Sequence, residues 1–147
     1  MPQPEMNKEA RQAYAEALRR IEECRRKGKE GTELDLSGLG LTTLPPEIGH
    51  LTALTVLELN NNQLTTLPPE LGQLTALTEL YLHSNRLTTL PPEIGQFKAL
   101  TGLDLFNNHL TCLLPEIGRL EVLRWLNLDN NRLIELVPEI GGLKALM

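Results

Sequence analysis

Two places in the chain set a base beside a nucleophile. His83 precedes Ser84 in "LTELYLHSNRL" (77–87), and His109 stands three residues before Cys112. Pairs of this kind suit acyl transfer: the base takes the proton of the hydroxyl or thiol, and a third group holds the base in place. Carboxylates that could serve as the third group, or ligate a divalent cation, occur at Asp35, Glu58 and Asp104. Whether these residues meet depends on the elements that carry them, and those elements are set by a repeat.

Four segments align without gaps: "LTTLPPEIGHLTALTVLELNNNQ" (41–63), "LTTLPPELGQLTALTELYLHSNR" (64–86), "LTTLPPEIGQFKALTGLDLFNNH" (87–109) and "LTCLLPEIGRLEVLRWLNLDNNR" (110–132). A fifth, "LIELVPEIGGLKALM" (133–147), follows the same pattern as far as Met147. The period is 23 residues, and seven apolar positions recur in each unit, in the first as Leu41, Leu44, Ile48, Leu51, Leu54, Leu57 and Leu59. One such unit cannot bury its leucines alone. Stacked units can, so the period implies a solenoid held mainly by nearest-neighbour contacts.

The pairs Leu34/Leu36, Leu57/Leu59, Leu80/Leu82, Leu103/Leu105 and Leu126/Leu128 alternate with polar residues, the signature of strands, and predict a parallel concave sheet of about five. The "PPEIGxLxxL" stretch returns on the convex side. Its proline and following glutamate suit the first turn of a short helix.

Residues flanking an inward leucine point the other way. Three outward columns follow: Glu33, Val56, Glu79, Gly102, Trp125; then Asp35, Glu58, Tyr81, Asp104, Asn127; then Ser37, Asn60, His83, Phe106, Asp129. His83 is therefore one member of a displayed column, in the place of Asn60 and Phe106, and Ser84 stands where Asn61 and Asn107 stand. Adjacent residues leaving a strand do not supply a base oriented on a nucleophile, and His109 with Cys112 falls on a descending loop. Calcium needs six or more converging oxygens, which strand columns about 4.8 Å apart do not offer. The expectation is no catalytic residue, no metal and no cofactor.

The motif LxxLxLxxNxL at this period resembles the leucine-rich repeat family over residues 33–147. The "LPPEIGxL" form is similar to the subclass found in intracellular Ras-associated scaffolds, plant relatives and bacterial proteins. The resemblance implies a right-handed α/β solenoid. It also implies that the recurring Asn62, Asn85, Asn108 and Asn131 turn inward to satisfy loop backbone groups rather than form a binding row. The first turn departs from the pattern, with Leu39 where asparagine belongs. The stretch "EALRRIEECRRKGKEGTELDLSGLGLTTLPPEI" (16–48) also resembles the approach to the repeats in bacterial Roco-type proteins, where a GTPase domain follows. "GKEGT" (28–32) does not fit a phosphate-binding loop, so no GTPase activity is carried over.

A solenoid needs its apolar ends covered. Residues 1–30 read as an N-terminal cap and 31–147 as the repeats. Ala10, Tyr14, Ala17, Leu18, Ile21 and Cys24 form one helical stripe, with Asn7 as N-cap, Gly28 as stop, and Cys24 as a small buried hydrophobe. At the other end, Met147 holds the place of Thr55, two residues before another inward leucine would fall. Strand five is left as an open edge. Further repeats of a longer protein, or a second copy forming a homo-oligomer, would cover it.

The body is acidic. Residues 1–30 carry eight Lys/Arg and six Asp/Glu, residues 31–147 six and thirteen, giving +2 and −7 and the chain's −5. That balance argues against nucleic acid, and "RRKGKE" (25–30) reads as a solvated helix end. "MPQPEMNKEARQ" has no apolar leader, and no stretch is long and apolar enough to span a bilayer. With two isolated cysteines, Cys24 and Cys112, the expected setting is cytoplasmic. The chain has five aromatics. Tyr14 belongs to the cap stripe and Phe97 replaces a core leucine, while Tyr81, Phe106 and Trp125 all fall in concave columns. Trp and Tyr anchor many interfaces. With His83 and Asn127 beside them and Glu58, Glu79, Asp104 and Asp129 around them, they describe a non-catalytic interaction scaffold whose concave face takes a basic-rimmed protein partner.

Overall fold

The computed structural model describes residues 6–147; the first five residues of the expected cap lie outside the described residues. Helix α1 (Lys8–Arg26) begins where Asn7 Oδ1 accepts the Ala10 N–H at 2.7 Å, satisfying one free donor of the first turn. It ends at Gly28, whose φ of +57° is the left-handed geometry that closes helices. The buried face is Ala10, Ala13, Ala17, Ile21 and Cys24. Tyr14 and Leu18, expected within the stripe, flank it half-buried, and the unanticipated Ala13 lies at its centre. Small residues here let the helix lie close to the first strand and the first convex turn. Gly31 is part of that fit: a Cβ on it would come 2.3 Å from the Cys24 carbonyl oxygen. The Cys24 S–H donates to the Gly31 carbonyl at 3.5 Å, and burial pushes the thiol pKa up, so Cys24 packs rather than reacts.

Five short strands follow: β1 (Glu33–Asp35), β2 (Val56–Glu58), β3 (Glu79–Tyr81), β4 (Gly102–Asp104) and β5 (Trp125–Asn127). They pair in parallel in sequence order, and every pairing joins residues 23 apart, such as Leu57 with Leu80. The chain returns through 3-10 helices at Pro46–His50, Pro69–Gln73, Pro92–Gln96, Pro115–Arg119 and Pro138–Gly142, each opened by its proline. These helices stack closely. A Cβ on Gly49 would lie 2.8 Å from the Glu70 carbonyl oxygen, and one on Gly118 2.4 Å from that of Glu139.

Between sheet and helices lies one continuous core of the repeated leucines with Phe97. Full burial of such a side chain is worth about 1.5–3 kcal/mol. The asparagines turn inward as the family pattern implies. Asn85 Oδ1 accepts the Leu64 N–H at 3.0 Å, and its Nδ2 donates to the carbonyls of Leu59 and Leu82 at 2.9 and 3.0 Å. In the atypical first turn, Asn62 serves both Leu39 and Leu41, accepting their N–H groups at 3.1 and 2.9 Å.

A second ladder was not anticipated. The Oγ1 groups of Thr55, Thr78 and Thr101 donate at 3.0–3.1 Å to the carbonyls of Thr32, Thr55 and Thr78 respectively. It stops at Arg124, which has no hydroxyl. The final turn extends the stack's backbone pattern as far as it goes, the Met147 N–H donating to the Arg124 carbonyl at 2.8 Å. Apolar residues of this last turn are exposed. Leu136 is 55% exposed where its equivalent Leu44 is 4% exposed, and Ile134 and Met147 stand at 88% and 98%.

Candidate functional site

The strand register places the first two outward columns as the sequence predicts: Glu58 beside Tyr81, Tyr81 beside Asp104, Asp104 beside Asn127, and Gly102 beside Trp125; the third column lies just past the strand ends. Two of the aromatics meet. The rings of Tyr81 and Trp125 lie with centroids 6.0 Å apart at 40°, although their residues stand on β3 and β5. Gly102, on the strand between, makes this reach feasible. A Cβ there would fall 2.3–2.4 Å from Trp125 Cε2, Cζ2 and Nε1, so the indole occupies the space that a side chain would fill. Gly102 is consequently buried in an otherwise open column, while Trp125 remains 38% exposed. Phe106, just beyond β4, is half-buried, and the structure records no ring contact joining it to the pair.

The acids divide their roles. Tyr81 donates its hydroxyl to Glu79 Oε2 at 2.6 Å. That bond, desolvation and the charges of Glu79, Glu58 and Asp104 push the Tyr81 pKa up to about 12. Glu58 is itself raised, by desolvation and then by the charges of Asp35 and Glu33. Asp104 Oδ1 accepts the Phe106 N–H at 3.0 Å, and Asn127 Oδ1 accepts the Asp129 N–H at 3.1 Å. These short Asx turns steer the chain off the strand ends. They are a local role that the outward-column reading did not include.

His83 and Ser84 do approach, with Nδ1 and Oγ 3.5 Å apart, but this is the outer limit of a hydrogen bond. Ser84 sits at φ +58°, in the left-handed turn shared with Asn61, Asn107 and Asn130, so its backbone geometry is that of the repeat. Cys112 is exposed on its loop. Among the described residues no three His, Cys, Asp or Glu side chains group as metal ligands, and no helix is long and apolar enough to cross a membrane. A cleft of about 740 Å³ between α1 and Pro46–His50 is lined by Leu18, Ile21, Glu22, Arg25, Glu47 and His50. Its charged residues are already partly paired, Arg25 Nη2 lying 2.6 Å from Glu22 Oε1.

Comparison with known proteins agrees with this architecture. A family model described as a leucine-rich repeat region matches residues 33–113, and one described as a leucine rich repeat matches 122–143. No curated protein matches the sequence. A leucine-rich repeat protein of Leptospira interrogans is 42% identical with a TM-score of 0.77, the match covering 78% of this chain and 29% of that one. The plant peptide hormone receptor RGFR1 in complex with RGF2 is 38% identical with a TM-score of 0.71, over 79% of this chain and 20% of the receptor. The functional domain of InlJ from Listeria monocytogenes is 34% identical with a TM-score of 0.68, over 78% and 24%. The chain thus spans less than a third of the length of these solved relatives. With the 23-residue register, the inward asparagines and a family match across more than half of its residues, the chain belongs to the leucine-rich repeat family.

Proposed function

We propose that the chain is a non-catalytic protein-interaction module whose concave face, centred on Tyr81, Phe106 and Trp125, binds a protein partner with basic groups at its rim. One observation carries the reading: the chain's sole tryptophan is laid across Gly102 against Tyr81 on an open sheet face whose columns hold Glu33, Asp35, Glu58, Glu79, Asp104 and Asp129 and no Lys or Arg. Pre-ordered aromatics lose little conformational freedom on binding and make good anchors. The similarity to a plant receptor solved with its peptide hormone fits a protein or peptide ligand. His83, Asn127 and Asp129 extend the surface toward the loop side. The test is capture from host lysate by the wild-type chain beside a Tyr81/Phe106/Trp125 triple-alanine variant shown to be folded by circular dichroism. A partner kept by the first and lost by the second supports the concave face; equal capture by both refutes it.

A second reading rests on the far end of the stack. Exposed Ile134, Leu136, Leu146 and Met147 beside the unpaired edge of β5 favour association of two copies there. A mass that rises with concentration, and falls to that of a monomer in Leu136→Glu/Met147→Glu, supports it; a monomer at every concentration refutes it. A place within a larger Roco-type protein rests on the sequence of residues 16–48 alone. A reading frame that runs past Met147 into a nucleotide-binding motif would support it.

A further inference from the structure

Resting on the concave-face reading, we propose that the Trp125–Gly102–Tyr81 shelf is the seat of one arginine side chain from an extended segment of the partner. Three features converge on this chemistry. The floor of the shelf is aromatic: three indole atoms cover the space above Gly102, and the Tyr81 ring stands beside them, its centroid 6.0 Å away and its plane tilted by 40°. A planar guanidinium stacks on such a surface, drawn by the negative face of the rings, in a way that a compact ammonium does not.

The shelf also has acceptors along its sides. Asp104 adjoins Tyr81 across β3 and β4, and Glu58 adjoins Tyr81 across β2 and β3. Glu79 lies on the strand of Tyr81 and is fixed by its hydroxyl at 2.6 Å. Asp104 Oδ1 is engaged by the Phe106 N–H, and Oδ2 has no protein partner among the described residues. Carboxylates so placed match the forked donors of arginine.

The third feature is that no described residue forms an ion pair with them. The salt bridges among the described residues all lie on α1, between Glu16, Glu22 or Glu23 and Arg19, Arg20, Arg25 or Arg26. The concave columns carry no cation of their own. The partner must supply the charge, and the shelf decides its shape.

Trp125 is the chain's one tryptophan, so its indole Nε1–H gives a single, assignable signal in a proton–nitrogen correlation spectrum. The probes are three blocked tripeptides with glycine on either side of arginine, lysine or citrulline, titrated into the full chain to tens of millimolar. Citrulline keeps the planar shape and removes the charge. The expected result is a saturable shift of the Trp125 indole and of the Gly102 and Asp104 amides with arginine, binding about 3- to 10-fold weaker with lysine, and no saturable shift with citrulline. Asp104→Asn, an isosteric change that leaves the Phe106 turn able to form, weakens arginine about 5-fold. Gly102→Ala, whose methyl group displaces the indole, abolishes the arginine shift while the remaining amides keep their dispersion. An unmoved indole, or equal binding of citrulline, overturns the proposal. If arginine fails here while lysate capture still depends on Tyr81, Phe106 and Trp125, the arginine seat is wrong and the concave face stands. If capture ignores those residues, the underlying reading falls as well.

Discussion

Replacing Asn85 by alanine tests what holds one coil to the next. Its amide joins three strand–loop junctions: Oδ1 takes the Leu64 N–H, and Nδ2 gives to the Leu59 and Leu82 carbonyls. The loss is uneven. Leu64 N–H has no other acceptor and becomes a buried unpaired donor, at a cost of about 1–3 kcal/mol. The Leu59 carbonyl keeps Asn62 as donor and the Leu82 carbonyl keeps Asn108, so each loses one of two bonds, about 0.5–1.5 kcal/mol apiece. With the void left by the amide, the destabilisation is about 3–5 kcal/mol.

Asn131 makes the corresponding bonds to Leu110, Leu105 and Leu128, but it is only part-buried at the open end, where water can replace the amide. Asn131→Ala should cost about 1–2 kcal/mol. Urea unfolding followed by circular dichroism, with equal m-values, measures both. Asn85→Asp should be worse than Asn85→Ala, because a carboxylate oxygen would face two carbonyl oxygens. If Asn85→Ala costs no more than Asn131→Ala, the asparagines are not what closes the coils, and the reasoning fails.

Gly31→Ala should detach the cap, since its methyl would meet the Cys24 carbonyl oxygen at 2.3 Å; hydrogen exchange should show α1 losing protection while the amides of β3 and β4 keep theirs. Acid should loosen the same helix. Glu16 and Glu22 are held from 4.5 down to about 2, first by hydrogen bonds from Arg19 and Arg25. A carboxylate whose folded pKa is depressed contributes stability that is complete above its unfolded value, so this contribution should fade as pH falls from 4.5 toward 2. Circular dichroism melts across that window, compared with Glu16→Gln/Glu22→Gln, should converge at the acid end, and high salt should shrink the difference between them because these side chains are exposed. Ser84→Asn should stabilise the chain by about 0.5–1 kcal/mol, because the left-handed turn at φ +58° suits asparagine better than serine; a lower midpoint of urea unfolding would contradict this.

Where leucine, proline or asparagine recurs at the same offset, the fold is readable from the sequence alone. Leucine spacing gave the strands and their register, the second proline gave the start of each convex turn, and Asn7 with Gly28 bounded α1. The threonine ladder was equally periodic in Thr32, Thr55, Thr78 and Thr101. Its hydrogen bonds are not legible in the sequence, because threonine at a strand start reads as ordinary strand preference. The site was legible only as columns. Which columns hold a side chain at all, and which side chain leans into a vacancy, depends on contacts between strands. Gly102 looked like a blank in its column, yet that blank is why Trp125 lies down and reaches Tyr81. The local turns of Asp104 and Asn127 escaped for a different reason: an acid at a strand end can face a partner or its own chain, and spacing does not distinguish the two.

The hand-over of hydrogen bonds at a fixed offset of 23 residues has a consequence for heredity. Thr78 bonds to Thr55 as Thr101 bonds to Thr78, so the coils up to the one that Arg124 begins to alter meet like neighbours above and below. Duplicating or excising one whole unit among the regular coils returns the repeated leucines and inward amides to partners of the kind they left. Replication slippage that would ruin an ordinary globular core would here only lengthen or shorten a stack. What such an event does alter is the order of letters along the concave columns. A lineage of these molecules can therefore rewrite its recognition surface in single steps while the architecture stays the same.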